Sequence, residues 1–150
     1  MEKIKTYVII ISEKFPKTHP KAGCITDFEL AINHKLKIHT IRLNFTFWEK
    51  RIAEVQAGRA YLSIRKWSGK PYASPQIELF KFDKSHGVGI EKLTPTVLGW
   101  FVDDFDSNYE TSDFAMNDGL TKESFEKWFK KVKMDDDLAI IHFTNFRYNS

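Results

Sequence analysis

The stretch "KLKIHTIRLN", residues 35–44, is where the reading of this chain turns. Thr40 and Arg42 alternate with His39 and Ile41 in a β-prone run, so a strand here puts a hydroxyl and a guanidinium on one face. Lys37 stands three residues before Thr40, and an unbroken strand would point it to the opposite face. The lysine joins the other two only if it sits in the turn that precedes the strand. On these residues alone, a plain surface strand and a reactive site both stay open.

Working outward, the segment before this strand reads as a short helix over 27–35. Thr26 and Glu29 have T-x-x-E capping-box spacing, and Phe28, Ala31, Ile32 and the stem of Lys35 share a face. Ahead of it, "FPKTHPKAG" reads as loop, and "TYVIIIS" (6–12) as a strand buried on both faces. After the strand, Thr46 and Glu49 predict a second capping box, with Trp48, Ile52 and Val55 on one helical face and Gly58 as its stop. "RAYLSIRKW" (59–67), the turn "SGKP" and "QIELFKF" (76–82) form a hairpin. "GVGIEKLT" adds a short strand, and 95–118 mixes acidic and aromatic residues without a clear period. In "TKESFEKWFKKV", Phe125, Trp128, Phe129 and Val132 fall at helical spacing behind a Thr121 cap. "DLAIIHFTNFRY" (137–148) reads as a closing strand. Strands outnumber helices and do not alternate with them, which predicts an α+β fold. The expected core is a curved sheet or small β-barrel of about five to seven strands with two to four flanking helices.

At 150 residues the chain suits one domain, 1–150. Its 42% hydrophobic and 29% charged composition is that of a globular protein, and no apolar run approaches the roughly 20 residues that span a bilayer. Without a signal-peptide pattern, the expected setting is cytoplasmic, away from membranes. The single cysteine, Cys24, excludes an internal disulfide and a multi-cysteine zinc site. Five scattered histidines give no metal-ligand spacing, and no phosphate-binding glycine loop is present, so no metal and no cofactor are expected. Residues 1–75 carry 14 Lys+Arg against 6 Asp+Glu, an excess that can mark an anion-attracting face.

A threonine hydroxyl is a poor nucleophile until a neighbour takes its proton, and lysine does so only when its pKa is depressed. Helix, then "KLKIHTIR", then later "NDGLTKESFEKWF" and the final "LAIIHFTNFRY" is an order that resembles the ASCH domain, a PUA-like β-barrel family. The resemblance spans roughly 4–148, with 45–57 and 95–110 as elaborations. It implies binding of RNA or a modified nucleoside in a basic cleft around the K-x-x-T-x-R strand, with a role in RNA or nucleoside metabolism. One ASCH subgroup hydrolyses N4-acetylcytidine through a lysine, a threonine and a glutamate. These positions fall on Lys37, Thr40 and Asp118, the last a departure that keeps the carboxylate but is one methylene shorter.

Three functions are therefore carried forward. As a binding module, Lys37, Arg42, Arg65, Lys66 and Lys70 contact phosphates, Trp67 or Tyr72 stacks on a base, and His39 joins the ligand surface. As an amidohydrolase, Lys37, Thr40 and Asp118 carry the reaction. As a non-catalytic interaction module, the acidic and aromatic 100–114 segment meets a protein partner.

Overall fold

The computed structural model describes residues 3–149 and places eight strands and four α-helices along them. The strands are β1 (Lys5–Ile10), β2 (His39–Leu43), β3 (Ala60–Trp67), β4 (Gln76–Phe82), β5 (Gly89–Thr96), β6 (Gly99–Val102), β7 (Phe105–Asp106) and β8 (Leu138–His142). The helices are α1 (Phe28–Asn33), α2 (Phe45–Gln56), α3 (Thr111–Asn117) and α4 (Lys122–Trp128). The fold is α+β. It holds two sheets, of order β1-β3-β4 and β2-β8-β5-β6-β7, and hydrogen bonding among the described residues does not close them into one barrel.

β8 is buried along its whole length because it lies inside its sheet, antiparallel to β2 on one side and β5 on the other. Its side chains alternate between two cores. Ala139 and Ile141 join Ile9, Leu62, Ile64, Ile52 and Val55 between the sheets, while Leu138 and Ile140 join Ile41, Leu93, Phe114 and Phe125 beneath α3 and α4. The same alternation sends the two faces of β2 to different places, Ile41 to the second core and Thr40 and Arg42 to the seam facing the end of β1.

Several expected elements are displaced, each for a local reason. β1 is an edge strand, paired in parallel with β3 alone; Lys5 and Thr6 are exposed, so it is not buried on both faces. Thr26 does not cap α1: its hydroxyl donates to Ser12 O at 2.7 Å, and Asp27, in a left-handed conformation, takes the cap position. Asn44 caps α2 by accepting from Phe47 N, which starts that helix two residues before the Thr46 box. Thr121 caps α4 as expected, through Ser124 N at 3.1 Å, and Gly58, at φ 81°, follows the end of α2. The closing strand stops at His142 rather than 148. Beyond it, the Arg147 guanidinium binds the carbonyls of Thr144, Phe146 and Gly87 and folds the segment back.

Candidate active site

Lys37 reaches the site from a turn. After α1, Lys35 takes a left-handed φ of 60°, and the amides of Leu36 and Lys37 both return to Ala31 O. Lys37 therefore precedes β2 and pairs as an isolated antiparallel bridge with Asp118, which removes the objection from strand parity. Asp118 ends α3 instead of leading into α4. Gly119 next to it has φ 79°, and a Cβ there would stand 3.2 Å from Lys37 Cβ, so glycine lets the lysine stem pass.

The result is a buried ion pair. Lys37 Nζ donates to Asp118 Oδ1 and to Asp118 O, both at 2.8 Å, and lies 4.4 Å above the centre of the Phe28 ring. Thr40 and Arg42 share with this pair a cavity of about 70 Å³. The end of β1 with Ser12, and the rings of Phe28, Trp128 and Phe129, complete its walls. Thr40 is 5% exposed, and its hydroxyl has no hydrogen-bond partner among the described residues. Arg42 Nη2 donates to Ile10 O at 2.7 Å, tying the edge strands β1 and β2 together, while its buried Nε finds no partner.

Burial pulls the Lys37 ammonium below the ordinary lysine range, opposed by the Asp118 charge and assisted by Arg42. Burial acts on Asp118 in the other direction, but the Lys37 charge and the hydrogen bonds of Lys37 and His39 outweigh it and keep the carboxyl ionised below its usual range. The arrangement thus holds a carboxylate, an amine with a depressed proton affinity and an unbonded hydroxyl around one small cavity. Such a set can activate the hydroxyl as a nucleophile.

The other expected ligand residues disperse. His39 is fully buried behind Asp118, with Nδ1 3.5 Å from Asp118 Oδ1, and takes no part in the cavity wall. Arg65 is held by Ser63 Oγ and Gln76 Oε1. Lys66 lies between Glu13 and Glu29, at 3.0 and 3.1 Å, on the wall of a second cavity of about 610 Å³. That larger space shares Ile11, Ser12 and Phe28 with the small one. Trp67 packs against Tyr72 with ring centres 5.1 Å apart at the tip of the β3–β4 hairpin, where Tyr72 and Lys70 are exposed. The 100–114 segment is mixed: Val102 and Phe114 are core residues and Trp100 Nε1 donates to Thr111 Oγ1, while 104–106 and 108–110, with the Phe105 and Tyr109 rings, are exposed.

Residues missed by sequence reasoning complete the surroundings. Tyr148 OH lies 2.6 Å from His39 Nε2 and 2.9 Å from Asn117 Nδ2. Glu91 and His142 form a second buried pair at 2.8 Å. Only the polar residues inside otherwise apolar strands hinted at them: His39, Glu91 and His142 each interrupt a run that reads as core. Comparisons of the chain with protein-family models, with curated proteins and with solved structures find no match.

Proposed function

We propose that this protein is an ASCH-type, PUA-like domain that hydrolyses the amide of an N-acylated nucleoside such as N4-acetylcytidine. The observation that carries this reading is the Lys37–Asp118 pair opening on the same cavity as the unbonded Thr40 hydroxyl. The seam between edge strands β1 and β2, bridged by Arg42, supports the barrel kinship, because it is where a barrel built from these sheets would close. A small cavity beside a larger one suits an acyl carbonyl attached to a ring system.

In this mechanism neutral Lys37 takes the proton from Thr40 as the hydroxyl oxygen attacks the amide carbonyl. The unpartnered Arg42 Nε is the donor nearest in chemistry to what the developing oxyanion needs. The tetrahedral intermediate collapses by breaking the C–N bond, and Lys37 returns its proton to the departing amine. Water, deprotonated by Lys37, then attacks the threonyl ester; the Thr40 O–acyl bond breaks, Lys37 returns the proton to the Thr40 oxygen, and the acid leaves as its carboxylate after losing a proton to solvent. Asp118 holds Lys37 Nζ in place throughout, by side chain and carbonyl together.

The RNA-binding reading rests on the exposed Lys70 and Tyr72, since Arg65 and Lys66 already have polar partners. One assay separates the two. Purified protein mixed with N4-acetylcytidine is expected to release cytidine and acetate at a rate indifferent to salt, and Thr40→Val to lose turnover by about 10²-fold or more. Full turnover in Thr40→Val sinks the nucleophile assignment. Retention of RNA that weakens steeply with salt, without hydrolysis, favours the binding module.

A further inference from the structure

We propose that His39 and Tyr148 are positioning residues of this site: with Asn117 they form a one-way polar chain whose last link is a 3.5 Å contact of His39 Nδ1 with Asp118, and so set the hold of that carboxylate on Lys37. The inference rests on the hydrolase reading for its consequence in turnover, but the chain itself is a property of the resting protein.

The direction follows from counting donors and acceptors. Tyr148 OH has two side-chain polar neighbours, Asn117 Nδ2 at 2.9 Å and His39 Nε2 at 2.6 Å. Asn117 Nδ2 is a donor, so it occupies an oxygen lone pair of the phenol. The phenolic hydrogen then needs an acceptor, and of the two neighbours only His39 Nε2 can serve. A neutral imidazole that accepts at Nε2 carries its hydrogen on Nδ1. His39 Nδ1 is buried and makes no hydrogen bond in the resting structure; Asp118 Oδ1 lies 3.5 Å from it, a contact that a small shift would close. The oxygen it faces is the one that accepts from Lys37 Nζ. The chain therefore runs Asn117 to Tyr148 to His39 to Asp118, and the lysine meets it from the cavity side.

The geometry suits tuning rather than direct attack. His39 is sealed in the core and excluded from the cavity wall, so it acts on Lys37 only through Asp118. The net balance at His39 favours a neutral ring: burial lowers its proton affinity and Lys37 assists, while Asp118 and a backbone contact oppose without overcoming burial. A donor on Asp118 Oδ1 spreads the carboxylate charge and loosens its grip on the lysine proton. Removing that donor tightens the grip and makes Lys37 a poorer base at neutral pH.

Two measurements test this. In the wild-type protein, ¹⁵N NMR of the His39 ring is expected to report the Nδ1–H tautomer; an Nε2–H ring overturns the proposal whether or not the protein hydrolyses anything. In His39→Leu and Tyr148→Phe, the NMR titration of Lys37 Nζ is expected to move upward, by about one pH unit in the first and less in the second. The ascending, acid-side limb of the pH–rate profile, which reports deprotonation of the general base, should move upward with it. His39→Asn, which keeps an N–H near the Nδ1 position, should restore the wild-type midpoint. A Lys37 midpoint unchanged in Tyr148→Phe and His39→Leu overturns the chain. Altered midpoints in a protein that turns over no amide leave the chain standing and reject only the hydrolase reading.

Discussion

Two buried ionic clusters lie in this fold, and they are built to opposite plans. Glu91 and His142 are sealed: the Glu91 carboxylate accepts from His142 Nε2, Tyr148 N and Asn149 N, at 2.8, 2.7 and 2.9 Å, and so pins the returning terminal segment to β5. Lys37 and Asp118 instead face a cavity lined also by Thr40, whose hydroxyl is unbonded, and by Arg42, whose buried Nε has no partner. A buried charge by itself is therefore not a mark of function. His142 Nδ1 is also unpartnered among the described residues, but it lines neither cavity; what separates the clusters is unused bonding capacity next to empty space, and by that criterion the second is the one equipped to receive a ligand.

The sharpest way to break this contrast is to remove one member from each. Lys37→Met should reduce amide turnover by about 10²- to 10⁴-fold, the usual loss for a missing general base. Glu91→Gln should leave turnover per folded molecule intact but lower unfolding free energy by about 3 kcal/mol in urea titration, because it disrupts a buried charged network. If Glu91→Gln abolishes activity in a protein that remains folded, the division between structural and functional clusters fails.

Acid sharpens the comparison further. Burial lowers His142 from the ordinary 6.5 to about 4, despite the opposing Glu91 hydrogen bond, with His39 and Arg147 adding to the decrease. Between those two pH values the unfolded chain binds a proton that the folded chain refuses, so stability falls as pH drops through that window. The expected loss from His142 alone between pH 7 and pH 4 is about 3 kcal/mol, and the depressed Glu91 and Asp118 carboxyls add to it in the same direction. Chemical denaturation across this range gives the slope; a flat profile contradicts a neutral His142. The smallest expected effect is that of Gly119→Ala. Its φ of 79° and the 3.2 Å approach to Lys37 Cβ predict a loss of about 1–2 kcal/mol together with weaker turnover, measured by thermal melting and by the same hydrolysis assay.

How far the sequence alone carried these conclusions depended on the range of the interaction. Thr121 as a cap, the β3–β4 hairpin and the stop at Gly58 involve contacts within a few residues, and local pattern located them. The same local logic failed at Thr26, whose hydroxyl is drawn to the Ser12 carbonyl by tertiary packing, and at 143–148, where Arg147 offers carbonyls a stronger partner than a sheet ladder. Lys37, Thr40, Arg42 and Asp118 were named from the sequence, and the fold brings all four to one cavity. His39, expected at the ligand surface, lies buried on the face of β2 opposite Thr40, because alternation along the strand sends it there. Tyr148 escaped notice because its partner is 109 residues distant.

The tie from Arg42 to the Ile10 carbonyl has a kinetic consequence. It spans a seam where no backbone ladder joins β1 to β2, beside a cavity of about 70 Å³, far below the roughly 300–1,000 Å³ that accommodates a drug-sized ligand. Under the proposed hydrolase reading, the acyl end of the substrate reaches Thr40 from the larger cavity only when the Phe28 and Trp128 rings or this seam yield. Association should then level off at high substrate concentration, at the frequency with which the wall opens rather than the frequency of collisions. In the proposed reaction, weakening this hydrogen bond would raise the frequency of opening while loosening Arg42, so access and chemistry would respond in opposite directions.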